Sequence, residues 1–289
     1  MARLGSWITP CREGIYVKPA DAWIDPSQPK ATALVTHGHA DHARDGHGKV
    51  FATPETLAIM DCRYGPQPGT GIAYGETIRL GDVDIRFVPA GHVLGSAQIV
   101  LEHAGERIVV SGDYKRRPDP TCAPFEPVPC DIFITEATFG LPVFRHPATS
   151  GEIDRLLQRL CALYEEWGVP LGELRPATGV PKDDLRGHIV IAPPGQLNDR
   201  WSRRLPEPIT AMASGWMRVR QRARQQLVEM PLIVSDHADW DELTTTIREL
   251  APREVWITHG REEALKHWCM TRQIKARELN LVGYEDEDD

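Results

Sequence analysis

The sequence predicts an α/β fold carrying an inserted lobe, and three observations lead to it. A short apolar run, residues 31–36, ends where a cluster of histidines begins, as a buried strand does when it delivers a loop. Residues 77–111 alternate strand-like runs at 77–80, 83–88, 98–102 and 107–110 with the turn pairs Gly81-Asp82 and Ala104-Gly105, which reads as a β-meander. Two helix starts flank this region in the chain. Thr53, Pro54 and Glu55 supply an N-cap, a first-turn proline and a first-turn acid for a helix through Met60 that stops near Gly65, while Asp239 and Glu242 have the spacing of a capping box opening an amphipathic helix through Leu250.

Further strands are expected at 131–135, after a linker holding Pro118, Pro120, Pro124, Pro127 and Pro129, at 232–235, and at 255–258 with His259 at its end. The stretch 141–230 differs in character: a helical pattern at 152–167, a Gly/Pro-rich loop and a strand at 189–192. The expected organisation is therefore a core in two parts, 1–140 and 231–284, an inserted lobe at 141–230, and an acidic tail at 285–289.

A chain of 289 residues with 41% hydrophobic and 26% charged residues can bury a core of its own. Its six cysteines form no CxxC pair, and the first 19 residues hold no apolar run long enough for a signal peptide or membrane span; reduced thiols, a cytoplasmic location and no membrane partner are the expectation. The net charge of −8 argues against nucleic acid only as an average. Residues 200–226 carry Arg200, Arg203, Arg204, Arg218, Arg220, Arg222 and Arg224 against the single acid Glu207, a stretch that serves either as a phosphate-holding surface or as a solvated helix face.

The densest chemical signal is His37-Gly38-His39-Ala40-Asp41-His42. On an extended loop alternate side chains project together, so His37 and His39 can chelate one ion while Asp41 and His42 turn toward a second. Imidazole nitrogen with carboxylate oxygen suits zinc, with manganese as the alternative.

This HxHxDH array resembles the second motif of the metallo-β-lactamase superfamily, and the residues that follow keep that family's order. His92 in Pro89-Ala90-Gly91-His92-Val93-Leu94-Gly95 and Asp113 in Ser111-Gly112-Asp113-Tyr114 match its next two ligands. The resemblance implies that His37, His39 and His92 bind one divalent ion, Asp41 and His42 a second, and that Asp113 bridges them. Asp25, in Trp23-Ile24-Asp25-Pro26, resembles the first-motif aspartate that buttresses the histidine loop without binding metal; a plain turn aspartate is the other reading.

Glu136 in Thr135-Glu136-Ala137-Thr138-Phe139-Gly140, His237 in Ser235-Asp236-His237-Ala238-Asp239 and His259 in Thr258-His259-Gly260 resemble the three later motifs of the β-CASP nucleases. Ile191-Ala192-Pro193-Pro194, Ala213-Ser214-Gly215-Trp216-Met217-Arg218 and Ser235-Asp236-His237-Ala238-Asp239-Trp240 are similar to bacterial ligase-associated DNA damage response exonucleases, also described as mRNA 3′-end processing factors. The fold implied is an αββα metallo-β-lactamase sandwich with an inserted β-CASP lobe. Between about residues 156 and 163 the sequence passes straight into the later helix where relatives carry several dozen more residues, so the lobe is shortened.

The function implied is metal-dependent hydrolysis of DNA phosphodiester bonds by an exonuclease working in repair with a ligase. Asp41, Glu136 and His237 are the catalytic candidates, with His237 oriented by Glu136 as general acid and His259 completing the second metal's shell. Lys115, Arg116, Ser214, Gly215, Arg218, Arg220 and Arg222 are the candidate nucleic-acid contacts, with Trp201 and Trp216 available either to stack on bases or to pack in the lobe. Histidine at the last motif goes with RNA substrates in this branch, so an RNA-processing nuclease is the alternative. Another hydrolase of the same fold, such as a thioesterase, glyoxalase or lactamase, would leave Glu136, His237, His259 and the arginine cluster without a use. A nucleic-acid-binding scaffold with a degenerate site is at odds with every expected ligand position being filled.

Overall fold

The computed structural model describes residues 4–146, 168, 180–186, 188, 190–192, 202, 205, 208–226, 228–260, 262–279 and 281. The chain divides into two compact units, Met1–Arg145 with Asp236–Asp289, and His146–Ser235.

The first unit holds two sheets. Strands β1 (Ile8–Cys11), β2 (Gly14–Val17), β3 (Ala22–Ile24), β4 (Thr32–Leu34), β5 (Lys49–Ala52) and β6 (Gly69–Gly71) lie in sequential order in the first. The second contains β7 (Thr77–Leu80), β8 (Val83–Pro89), β9 (Ala97–His103), β10 (Glu106–Val110), β11 (Ile132–Ala137), β14 (Glu254–Gly260) and β15 (Lys275–Glu278), ordered β15-β14-β11-β10-β9-β8-β7. From β7 to β10 the strands pair antiparallel, the expected meander, whereas β10, β11, β14 and β15 pair in parallel.

Side-chain alternation explains why the sheets stack. Ile85 and Phe87 of β8, Ile108 and Val110 of β10 and Ile132 and Ile134 of β11 meet Ile15, Ile24, Leu34 and Phe51 of the first sheet in one buried cluster. The intervening residues Val109 and Phe133, with Val255 and Ile257, point to the other face, as a period of two requires. That face is covered by α3 (Trp240–Leu250) and α4 (Glu262–Met270) through Leu243, Ile247, Leu250, Leu265 and Cys269. On the far side of the first sheet, Ala33, Val35, Val50 and Ala52 pack against Met60 and Leu57 of α1 (Pro54–Tyr64). The layers run helix, sheet, sheet, helix, an αββα sandwich of the metallo-β-lactamase type.

The helix ends match their sequence signals. Thr53 caps α1 by accepting from the Thr56 N–H (3.2 Å), and Asp239 and Glu242 form a complete capping box on α3. Thr53 also fastens a distant loop, because its hydroxyl and that of Thr56 reach the Gly95 carbonyl at 2.6 and 3.0 Å. Gly95 has no room for a side chain there: its φ is +77° and a Cβ would stand 2.7 Å from Glu55 Cβ.

In the second unit β12 (Ala211–Ala213) pairs in parallel with β13 (Met230–Leu232), and a 3₁₀ turn at Gly215–Arg218 leads to α2 (Arg220–Gln225). Two expectations need correction. The strand expected at 232–235 ends at Leu232 and joins this two-stranded sheet instead of resuming the core, because its partner β12 sits in the same unit. Residues 190–192 are irregular, not strand. The helix expected at 152–167 lies outside the described residues. Among the described residues no helix is long and apolar enough to cross a membrane, and Cys11, Cys62, Cys122, Cys130 and Cys269 are free thiols.

Thr53→Ala removes both the cap and a tie to the loop carrying His92. It should lower unfolding free energy by about 1–2 kcal/mol, measured by urea denaturation; an unchanged midpoint would mean that neither bond stabilises the fold.

Candidate metal centre

The candidate ligands of the first unit come from loops that follow strands or, for His259, from the end of strand β14 itself. The chain leaves β3 at Asp25, whose φ of 42° is in the left-handed region that non-glycine residues rarely occupy. The Asp25 carboxylate accepts from the Thr36 N–H (2.8 Å), the Thr36 hydroxyl (2.6 Å) and His42 Nδ1 (2.9 Å), so one buried side chain shapes the whole histidine loop after β4.

These bonds also set tautomers. Thr36 gives its hydroxyl proton to Asp25, so toward His37 Nδ1 (3.0 Å) it can only accept, and the His37 lone pair is left on Nε2. His92 Nδ1 faces the Asp236 carbonyl at 2.7 Å and must donate to it. His37, His42 and His92 therefore have Nδ1 engaged and Nε2 turned inward. Their Nε2 atoms lie 3.5, 3.3 and 3.8 Å from Asp113 Oδ2, and His92 Nε2 is 3.1 Å from His39 Nδ1. Orientation of ligand imidazoles by a carboxylate, a hydroxyl or a carbonyl is how protein metal sites are built.

Asp113 follows β10, and Gly112 before it is required: its φ is +56°, and a Cβ would lie 2.8 Å from Thr36 Cβ. Glu136 lies on β11 and His259 on β14, the two strands next in the same parallel set. His259 also has a left-handed φ of 61°, and its ring stacks on that of His42 with centroids 5.7 Å apart.

Burial, followed by the positive fields of neighbouring histidines, pushes His37 well below the ordinary imidazole range; burial foremost takes His92 down to about 3. Both keep lone pairs to donate. Burial would raise Asp113, but His42, His259 and His237 hold it well below the usual carboxylate range; burial would likewise lower His42, yet Asp113, Asp25 and Asp41 hold it well above the usual imidazole range. Asp41 is depressed by His42 against the opposing effect of burial.

The residues fit a pair of cations. His37 Nε2 and Asp113 Oδ1 are buried and make no hydrogen bond, a cost of about 1–3 kcal/mol or more per group unless something else satisfies them. One ligand atom from each of His37, His39, His92 and Asp113 lies within 4.8 Å of the others, and the same holds for Asp41, His42, Asp113 and His259. Two nitrogen/oxygen donor sets that share one carboxylate suit divalent ions such as zinc.

Beside them His237 Nδ1 meets Glu136 Oε2 at 2.9 Å, while Glu136 Oε1 accepts from the Tyr114 N–H at 2.8 Å. The Phe139 ring meets the His237 ring edge-on, 6.0 Å between centroids. Asp236, absent from the sequence-based candidates, holds His92 through its backbone carbonyl and brings a carboxylate oxygen to 3.9 Å from His237 Nε2. Its adjacency to His237 was the only sequence signal.

The basic candidates of this unit are engaged in ion pairs. Lys115 is 4% exposed and ion-paired with Asp119 at 2.8 Å. Arg116 bonds Glu249 and Thr246 and lies over the Phe125 ring. Both brace the loop after Asp113. In the second unit Ser214 Oγ accepts from the Trp216 N–H at 3.3 Å, Gly215 is buried, and Arg222 covers the Trp216 ring at 4.1 Å, leaving that face closed to a base. Arg218 and Arg224 are exposed, and Arg220 opens α2. Trp201, Arg200, Arg203 and Arg204 lie outside the described residues.

Residues 224–274 match the family model described as a Zn-dependent metallo-hydrolase RNA specificity domain. A protein of Opitutus terrae named "Probable DNA ligase" is 27% identical over 323 residues, covering 91% of this chain and 31% of that protein. That aligned stretch is longer than this chain's 289 residues, so the relative holds residues with no counterpart here. A ribonuclease of Thermus thermophilus is 32% identical over 40% of this chain and 33% of its own length, and an endoribonuclease of Eremothecium gossypii 30% identical over 52% and 24%. The chain thus spans a third or less of the length of these curated relatives. Among solved structures, a protein of unknown function from Enterococcus faecalis shares the fold at a TM-score of 0.54, with 14% identity over 85% of this chain and 78% of that one. With its αββα core, the match over residues 224–274 and these relatives, the chain belongs to the metallo-β-lactamase/β-CASP nuclease family.

Proposed function

We propose that this protein is a two-metal nuclease that hydrolyses phosphodiester bonds in DNA, acting as an exonuclease in repair alongside a ligase in the cytoplasm. The observation that carries the reading is the pair of donor sets meeting at Asp113, with the His237–Glu136 pair directly beside them. Two divalent ions held there would lower the pKa of a shared water and neutralise charge on the attacked phosphate. His37, His39, His92 and Asp113 would hold one, and Asp41, His42, Asp113 and His259 the other.

The chain's own contribution to bond breaking is a proton. Burial opposes a charge on His237, but Glu136 first, then Asp113 and Asp236, holds its imidazole well above the ordinary range. Glu136 occupies Nδ1, so Nε2 is the atom that would protonate a departing 3′ or 5′ oxygen. Asp41 serves as a ligand of the second site and helps keep His42 in place.

DNA is favoured because the relative aligned over 91% of the chain bears the name of a DNA ligase, whereas the ribonucleases align over 40% and 52%. RNA processing is the second reading, supported by the RNA-specificity description of residues 224–274 and by His259 at the last motif. The backbone contacts proposed for the polynucleotide are Arg218, Arg220 and Arg224, with Ser214 and Gly215 shaping the turn before them and Arg222 acting through Trp216.

Asp113→Asn should drop bound metal below two ions per chain by elemental analysis, along with turnover; full metal content would remove Asp113 from its bridging role. His237→Ala should keep both ions and lose about 10²- to 10⁴-fold in kcat, and wild-type turnover in that variant would end the acid assignment. End-labelled single-stranded and duplex DNA and RNA, each incubated with zinc or manganese, should show DNA shortened from one end. Cleavage confined to RNA would establish the second reading, and no cleavage of any polynucleotide would sink both.

A further inference from the structure

The segment that carries Asp113 and the segment that carries His237 run side by side and are fastened at two levels. Nearest the metal ligands, the Ala238 N–H donates to the Tyr114 carbonyl at 2.5 Å, and the Tyr114 N–H donates to Glu136. Farther out, Arg117 reaches across to the first turn of α3. Its Nη2 donates to Asp239 Oδ2 at 2.6 Å, its backbone N–H to Glu242 Oε1 at 3.0 Å, and its Nε lies 3.4 Å from the same oxygen.

The two acids are the capping box of α3, and their oxygens are divided between two tasks. Asp239 Oδ1 accepts from the Asp241 and Glu242 N–H groups, and Glu242 Oε2 accepts from the Asp239 N–H. Arg117 therefore takes Asp239 Oδ2 and Glu242 Oε1, the two oxygens that the box leaves over. Asp239 is 1% exposed while the Arg117 side chain stays a third exposed, so the clamp is anchored in a buried carboxylate at the protein's surface, four residues past Asp113 and two residues from His237. A guanidinium fork that grips two carboxylates fixes position and angle together, which an ammonium does not.

We infer that Arg117 is a positioning residue: by clamping the capping box of α3 it sets where the His237 imidazole stands relative to Asp113 and Glu136. The inference rests on the role proposed above for His237 but has a consequence independent of it. Without the clamp the helix retains its own cap and the Arg116 bonds to Thr246 and Glu249, but the fastening nearest His237 in the chain is lost, and the ring relies on Glu136, the Phe139 ring and the backbone bonds of Asp236 and Ala238 among its described contacts. A displacement of the order of an ångström in a catalytic group can cost about 10²-fold in rate.

The test uses the full chain. In histidine-¹⁵N-labelled protein the proton shared by His237 Nδ1 and Glu136, assigned by its loss in His237→Ala, should be protected from exchange in the wild type. It should lose that protection in Arg117→Ala and partly regain it in Arg117→Lys, while metal content stays unchanged. On end-labelled DNA or RNA, whichever is cleaved, Arg117→Ala should lower kcat about 10- to 100-fold with KM unchanged, and should have no further effect in a His237→Ala background. Equal losses in both backgrounds, or a His237 proton unaffected by Arg117→Ala, would overturn the inference. Where Arg117→Ala fails to fold, Arg117→Lys runs the same cycle, and an unchanged His237 proton in that variant would overturn it equally. If the wild type cleaves nothing, the functional reading fails and the exchange measurement still decides on the clamp.

Discussion

The structure depends on one buried carboxylate. Asp113 lies within 4 Å of ring nitrogens from His37, His42, His92, His237 and His259, and no single proton arrangement satisfies a negative group and so many imidazoles away from water. An isolated buried ion is among the most costly things a fold can contain. The polar elements around it, from the strained Asp25 backbone to the Asp236 carbonyl, turn nitrogen lone pairs toward a common centre. Stability and chemistry are thus two readings of the same constraint.

The apolar framework makes this tolerable. The sandwich core between the sheets and the two helix-covered faces is built from close alternation of aliphatic residues, leaving the polar loops gathered where the strands end. Asp113, Glu136 and His259 issue from neighbouring parallel strands, and Asp25 and the His37 loop from neighbouring strands of the facing sheet. Loop conformation then needs little flexibility of its own: hydroxyls and carboxylates such as Thr36, Thr53 and Asp25 fasten each loop to the next.

Much of this was legible in the residues. Helix starts at Thr53 and Asp239 declared themselves because capping is a local interaction with a local spacing. The meander at 77–110 declared itself because its apolar residues alternate, and the six metal-type side chains because their density has no ordinary structural use. What escaped notice was non-local or silent. Strands β6 (Gly-Thr-Gly) and β15 (Lys-Ala-Arg-Glu) are edge strands with no apolar face to announce them. The Asp236 carbonyl is a backbone atom, and its reach to His92 spans 144 residues. The ion-pair partners of Lys115 and Arg116 were only half visible: Asp119 stands four residues on, but Glu249 is on a helix far along the chain.

The parallel half of the second sheet lets one stretch of the chain vary while another stays put. Chain that leaves the first unit after Arg145 does not re-enter it until Asp236, while the separation of Glu136 from its neighbours is held by ladder bonds between adjoining strands. Lengthening or trimming the intervening stretch, His146–Ser235, leaves those spacings alone. The second unit can therefore change in length or sequence without disturbing the distances between Asp113, Glu136 and His259, which the ladder alone fixes.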